Sequence, residues 1–161
     1  ALGNRSILAD PRNPAMQKDL NLKIKFREGF RPFAPAIIDE HRNEYFSGKG
    51  KNEFMLFTEN CISKDLPATT HLDNSARVQT VTEQSNQRFY SLLSAFKAKT
   101  KCPVLINTSV NVRGEPPVLS PSDAYQFFMS CHMDVLVIGD FILLKEDQPE
   151  ENRKIPNFEL D

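Results

Sequence analysis

The chain has 161 residues, with 20 Lys plus Arg against 21 Asp plus Glu, a net charge of -1. That length allows one domain with a real core or a piece of something larger, and the charge balance excludes a protein that coats nucleic acid through its overall field. Cys61, Cys102 and Cys131 are far apart and form no Cys-x-x-Cys pair, which argues against zinc and against a disulfide framework.

The first residues, Ala1 to Leu8, contain no initiator Met, and Ile7-Leu8-Ala9 reads as a strand already under way, so a piece of a longer protein is expected. Asn13-Pro14 predicts a helix N-cap followed by proline at the first helical position, with a short helix to about Leu22. From Lys23 to Phe26 cation and apolar residue alternate. If extended, Lys23, Lys25 and Arg27 share one face at ~7 Å spacing, suited either to neighbouring phosphates or to an ordinary solvated strand face. The proline-rich Arg31 to Pro35 leads into a strand at Ala36 to Ile38.

Asp39 to Lys51 is polar, and its Ser47-Gly48-Lys49-Gly50-Lys51 tract marks a mobile loop; no phosphate-binding glycine fingerprint is present there. Phe54 to Phe57 is an apolar strand candidate, Lys64 to Thr70 another loop. His71 to Val81 recovers alternation, with Arg77 and Gln79 facing one way and Ala76 and Val78 the other.

Two helices carry the clearest periodicity. Phe89, Leu92, Leu93 and Phe96 follow the Ser85-Asn86 cap region, in a helix running to about Thr100. Ala124, Phe127, Phe128 and Cys131 follow Ser120-Pro121-Ser122-Asp123, which supplies cap, N1 proline and first-turn acid. Between them Pro103 introduces a strand, Val104 to Ile106, that breaks into Asn107, Thr108, Ser109 and Asn111, with Arg113 and Gly114 before Pro116-Pro117. The run suits a bound anion, and equally a strand ending in an Asx or Ser/Thr turn. Val135 to Ile138 and Phe141 to Lys145, joined by Gly139-Asp140, form a hairpin signal, and Glu146 to Asp161 is an acidic tail. Two helices and about six strands then predict an α/β fold built on one shared mixed sheet. The longest apolar runs are too short to span a bilayer as helices, and the odd thiol count suggests a reducing cytoplasm.

The charge is uneven: Ala1 to Phe33 carries seven basic and three acidic residues, whereas Lys145 to Asp161 carries three basic and six acidic. A localised anion site fits this better than a basic surface. Its candidates are the cations Lys25, Arg27, Arg31 and Arg77 and the neutral donors Thr108, Ser109 and Asn111, which could orient phosphate oxygens and stabilise charge that develops on them. A Ser109-His71-Asp73 triad lacks the Gly-x-Ser-x-Gly elbow, and His71 with Asp73 is too few ligands for a metal. No Walker motif is present, so ATP chemistry would need another fold.

The stretches Ala1 to Arg12 (ALGNRSILADPR), Phe26 to Pro35 (FREGFRPFAP), His71 to Thr80 (HLDNSARVQT) and Pro103 to Glu115 (PVLINTSVNVRGE) together resemble the C-terminal part of the nodulation-type O-carbamoyltransferases, over Ala1 to about Lys145. The resemblance implies a YrdC-like twisted mixed sheet with helices packed on it, in one domain over 1–145 with a tail at 146–161. It further implies a domain that makes carbamoyl-adenylate from ATP, Mg2+ and carbamoyl phosphate. An N-terminal actin-like domain of the same polypeptide, which would hold iron or another metal, then carbamoylates a hydroxyl of a sugar or natural product. The YrdC signature of Lys and Arg on one strand and Ser-x-Asn on another corresponds to Lys25, Arg27, Ser109 and Asn111. By the same resemblance Lys25 and Arg27 hold phosphates, Arg77 the carbamoyl or phosphate oxygens, and Ser109 and Asn111 the nucleotide phosphate. Neither membrane nor nucleic acid is expected as a partner. A threonylcarbamoyl-adenylate synthase for tRNA modification and a non-catalytic nucleotide-binding domain are the alternatives.

Overall fold

The computed structural model describes residues 3–112 and 114–153. Ala1-Leu2, the Arg113 cation and positions 154–161 of the acidic tail lie outside the described residues. The described elements form a mixed α/β fold of two compact units. One comprises the residues up to Gln17 with Pro32–Thr108, and the other Lys18–Arg31 with the residues from Ser109 onward.

The first unit is built on a four-stranded sheet in the order β1 (Ser6–Ala9), β6 (Val104–Ser109), β2 (Ala34–Ile38), β5 (Gln79–Val81). β2 pairs parallel with β5 (Ile37 opposite Thr80) and antiparallel with β6 (Ala36 opposite Leu105), so the sheet is mixed. All five residues of β2 are buried, as a near-continuous apolar run in a central strand requires. Ala36, Ile38, Val81 and Leu105 pack under Phe89 and Leu93 of α3 (Gln87–Thr100), and the opposite face buries Ile37 and Val104 against Phe46, Leu66, Val78 and Cys102. Asn86 caps α3 by accepting from the Phe89 amide, so the predicted stripe and cap both occur. Across β2, Asn107 Nδ2 donates to Gln79 Oε1 at 2.6 Å.

Three expectations for this unit are corrected. Asp39–His41 is a 3-10 turn and Arg42–Tyr45 a short helix, α2, where a polar loop was expected. Phe54 to Phe57 is not a strand: Phe54, Leu56 and Phe57 are exposed in turns, without neighbours to bury an extended run. The alternation from His71 resolves into two short strands, β4 (Ser75–Ala76), paired with β3 (Glu59–Asn60), and β5, with Gln79 buried rather than sharing Arg77's exposure. Gly48, in the supposed glycine loop, lies against a buried ion pair between Arg42 and Glu59, where a Cβ would overlap both side chains.

The second unit holds α1 (Met16–Leu20, whose first two residues belong to the first unit), a π-helical turn Asn21–Lys25, α4 (Pro121–Met129) and the hairpin β7 (Val135–Ile138) with β8 (Phe141–Leu144). Its core joins Phe128, Met129 and Leu136 with Ile138 and Leu143. Ser120 and Asp123 form a reciprocal capping box and Pro121 stands at the first helical position. The hairpin is its own two-stranded sheet, which corrects the expectation of one sheet shared by all strands. Helix α4 ends under a cation: Lys145 Nζ donates to the carbonyls of Phe128 and Cys131 and lies 4.0 Å from the Phe128 ring centroid.

Candidate functional site

Lys25 is the most deeply placed of the candidate cations, at 4 % exposure. The extended geometry expected for Lys23 to Arg27 is overturned: Leu20 and Ile24, four apart and both buried, impose a helical period that outcompetes the alternation. The helix widens into a π turn, and Phe26 then adopts a left-handed conformation (φ 48, ψ 54) while its side chain stays buried. A π turn followed by a strained non-glycine residue is an arrangement that tertiary contacts must hold in place.

Those contacts come from the far end of the chain. Lys25 Nζ donates to the Ser109 carbonyl at 2.8 Å, the Asn111 carbonyl at 2.7 Å and Asn111 Oδ1 at 2.7 Å, so all three ammonium protons have oxygen acceptors on one tripeptide. The Ser109 hydroxyl donates a short hydrogen bond to Asn111 Oδ1, and Asn111 Nδ2 donates to the Glu115 carbonyl at 2.8 Å, closing the loop after β6. Burial, and then the charge of Arg27, push the Lys25 amine down to about 8, with Cys131 opposing.

Arg27 is half-buried; its Nε donates to Asn21 Oδ1 at 2.6 Å, and burial followed by the Arg31 charge lowers its pKa. Arg31 is exposed and pairs with Glu28 at 2.8 Å. The structure therefore brings Lys25, Ser109 and Asn111 together and holds Arg27 and Arg31 on the same turn. Arg77, exposed between β4 and β5, and Thr108, half-buried on β6, belong to the first unit. His71 Nδ1 is hydrogen-bonded to Ser75 Oγ at 2.9 Å and Asp73 accepts the Ser75 amide, a local turn that leaves the triad reading without support.

Asn21 was missed in the sequence. It is fully buried, yet an asparagine between Leu20 and Leu22 carries no signal beyond its helical spacing from Lys25. Beside Asn111, a pocket of about 400 Å³ in the second unit is lined by Val112, Leu119, Gln126 and Phe127 among others. The first unit has a cleft of about 490 Å³ flanked by Arg12, Lys64 and Lys101. There Arg12 is committed to Asp10 and to the Thr100 carbonyl at the end of α3, where helix-end carbonyls disfavour an anion. Among the described residues no three His, Cys, Asp or Glu side chains converge as metal ligands, and no helix is long and apolar enough to cross a membrane.

Lys25 meets the Ser109-x-Asn111 loop from a helical turn, not from the strand that the resemblance implied. The model of the carbamoyltransferase C-terminus family matches residues 1–145. The chain belongs to that family. This carbamoyltransferase C-terminus is 46 % identical to an uncharacterized protein of Synechocystis sp., over 100 % of the chain and 30 % of that protein. It is 44 % identical to the nodulation protein NolO of Bradyrhizobium diazoefficiens, over 90 % of the chain and 28 % of NolO. With the 3'-hydroxymethylcephem-O-carbamoyltransferase of Amycolatopsis lactamdurans it shares 40 % identity, over 87 % of the chain and 27 % of that enzyme. The carbamoyltransferase C-terminus thus spans less than a third of the length of these relatives.

Proposed function

We propose that this carbamoyltransferase C-terminus binds ATP and carbamoyl phosphate and forms carbamoyl-adenylate, whose carbamoyl group passes to an acceptor hydroxyl held by an N-terminal actin-like domain of the same polypeptide. The observation that carries the reading is the seating of Lys25 on Ser109 and Asn111, which makes one polar, cationic locus from two distant motifs in a carbamoyltransferase family member.

In this reading water releases carbamate and inorganic phosphate from carbamoyl phosphate. A carbamate oxygen then attacks the α-phosphorus of ATP, and the bond to the β-phosphate oxygen breaks as pyrophosphate leaves. Arg27 and Arg31 supply charge to the phosphates. Lys25 acts by holding the 109–111 loop and by its field, because its three protons are already engaged, and the Ser109 hydroxyl and Asn111 amide are likewise spent on shaping that loop. The pocket of Leu119, Gln126 and Phe127 offers an apolar wall and an amide for the nucleoside. Magnesium would neutralise the triphosphate. The described residues provide no carboxylate cluster to cage it, so no step here is assigned to it. Exclusion of bulk water protects carbamate and its adenylate from hydrolysis. A cytoplasmic setting, where both substrates are made, belongs to the same proposal.

The test is ATP-pyrophosphate exchange dependent on carbamoyl phosphate in the full-length enzyme. Arg27→Ala and Ser109→Ala are expected to abolish it; unchanged exchange in both overturns the assignment. Exchange that needs threonine and bicarbonate would point to threonylcarbamoyl-adenylate synthesis instead, and ATP binding without any adduct to a non-catalytic domain.

A further inference from the structure

Asn21 has no exposed surface, so it cannot touch a ligand, yet every polar group of its side chain is spent on the turn that carries the cations. Oδ1 accepts from Arg27 Nε at 2.6 Å, while Nδ2 donates to the carbonyls of Arg31 at 2.8 Å and Gly29 at 3.3 Å. The amide orientation follows from these partners, because a guanidinium can only donate and a carbonyl can only accept. The Asn21 carbonyl also accepts the backbone N–H groups of Phe26 and, at 3.0 Å, Arg27. One residue thus terminates the π turn, supports the left-handed Phe26 and aims one guanidinium.

We propose that Asn21 is the positioning residue of the anion site, orienting the Arg27 guanidinium and fixing the backbone that carries Arg31 so that both meet a phosphoryl group. The inference rests on the phosphate reading given above. Arg27 and Arg31, four residues apart, repel each other, a contribution second to burial in lowering the Arg27 pKa, and an untethered turn would splay them. Fixing them before the ligand arrives removes that reorganisation from binding. An apolar side chain in place of Asn21 would also remove the donor to the Gly29 and Arg31 carbonyls and the acceptor of Arg27 Nε.

The experiment measures equilibrium binding of ATP, without carbamoyl phosphate, to the full-length enzyme and to Asn21→Leu, Arg27→Ala and the double variant, with melting temperature alongside. If Asn21 acts through Arg27, Asn21→Leu weakens ATP at least about tenfold and the double variant is no weaker than Arg27→Ala alone, a coupling that general destabilisation does not produce. Should Asn21→Leu fail to fold, Asn21→Asp carries the test. It keeps the acceptor for Arg27 but puts a carboxylate beside it and removes both Nδ2 donors, so ATP binding, measured below the variant's melting temperature, is again expected to fall. Full additivity, or wild-type ATP affinity in a folded Asn21 variant while Arg27→Ala is weakened, overturns the positioning role and leaves the phosphate reading intact. Unchanged ATP binding in Arg27→Ala overturns both.

Discussion

Lys25 Nζ lies 2.7 Å from Asn111 Oδ1, a side-chain contact across 86 positions of sequence, and it joins a helical turn to the loop that ends a central strand. Asn111 Oδ1 also accepts the Ser109 hydroxyl, so the ammonium and the Ser-x-Asn loop are held as one unit.

Replacing Lys25 by Met keeps the apolar stem and removes the ammonium, leaving three oxygen acceptors in a buried place. A loss of about 2–3 kcal/mol in unfolding free energy is expected, together with loss of carbamoyl-phosphate-dependent exchange. Urea denaturation and the exchange assay check the two halves of this prediction separately.

Because the Lys25 amine in the folded chain titrates at about 8, ATP affinity is expected to fall as pH rises through that value. Stability should move the other way. The unfolded lysine titrates near 10.4, so between about pH 8 and pH 10.4 the unfolded chain binds more protons and unfolding free energy rises with pH from this group. Lys25→Met should flatten both profiles; a Met variant that keeps the wild-type pH dependence of ATP binding would assign the titration elsewhere.

Gly48→Ala introduces a methyl group into the space of the buried Arg42–Glu59 pair, whose side chains are 7 % and 4 % exposed. Pushing either charge off its partner should cost about 3 kcal/mol, read as a lowered melting temperature, while Gly50→Ala meets no atom and is strained only through its positive φ.

Ser120→Ala removes one arm of the capping box on α4 and should destabilise the chain by about 1 kcal/mol in chemical denaturation. Because Asp123 of the box also lines the pocket proposed for the nucleoside, ATP affinity is expected to weaken in the same variant.

Elements whose local pattern agrees with their surroundings were legible in the sequence alone. Strands β1, β2 and β6, helices α3 and α4 with their caps, and the β7–β8 hairpin all follow from periodicity, proline and capping chemistry, and the motif resemblance reached the right family. The apolar run Phe54 to Phe57 and the alternation from Lys23 to Arg27 misled because a short pattern cannot say whether partners exist to pair with it. Tertiary structure alone decided that the hairpin forms a sheet of its own, and that Lys25 leaves a helical turn to meet Ser109 and Asn111. It also decided that a buried Asn21 aims Arg27. Each of these depends on hydrogen-bond acceptors or apolar faces contributed from elsewhere in the fold, and that dependence outweighs local preferences worth a fraction of a kilocalorie per residue.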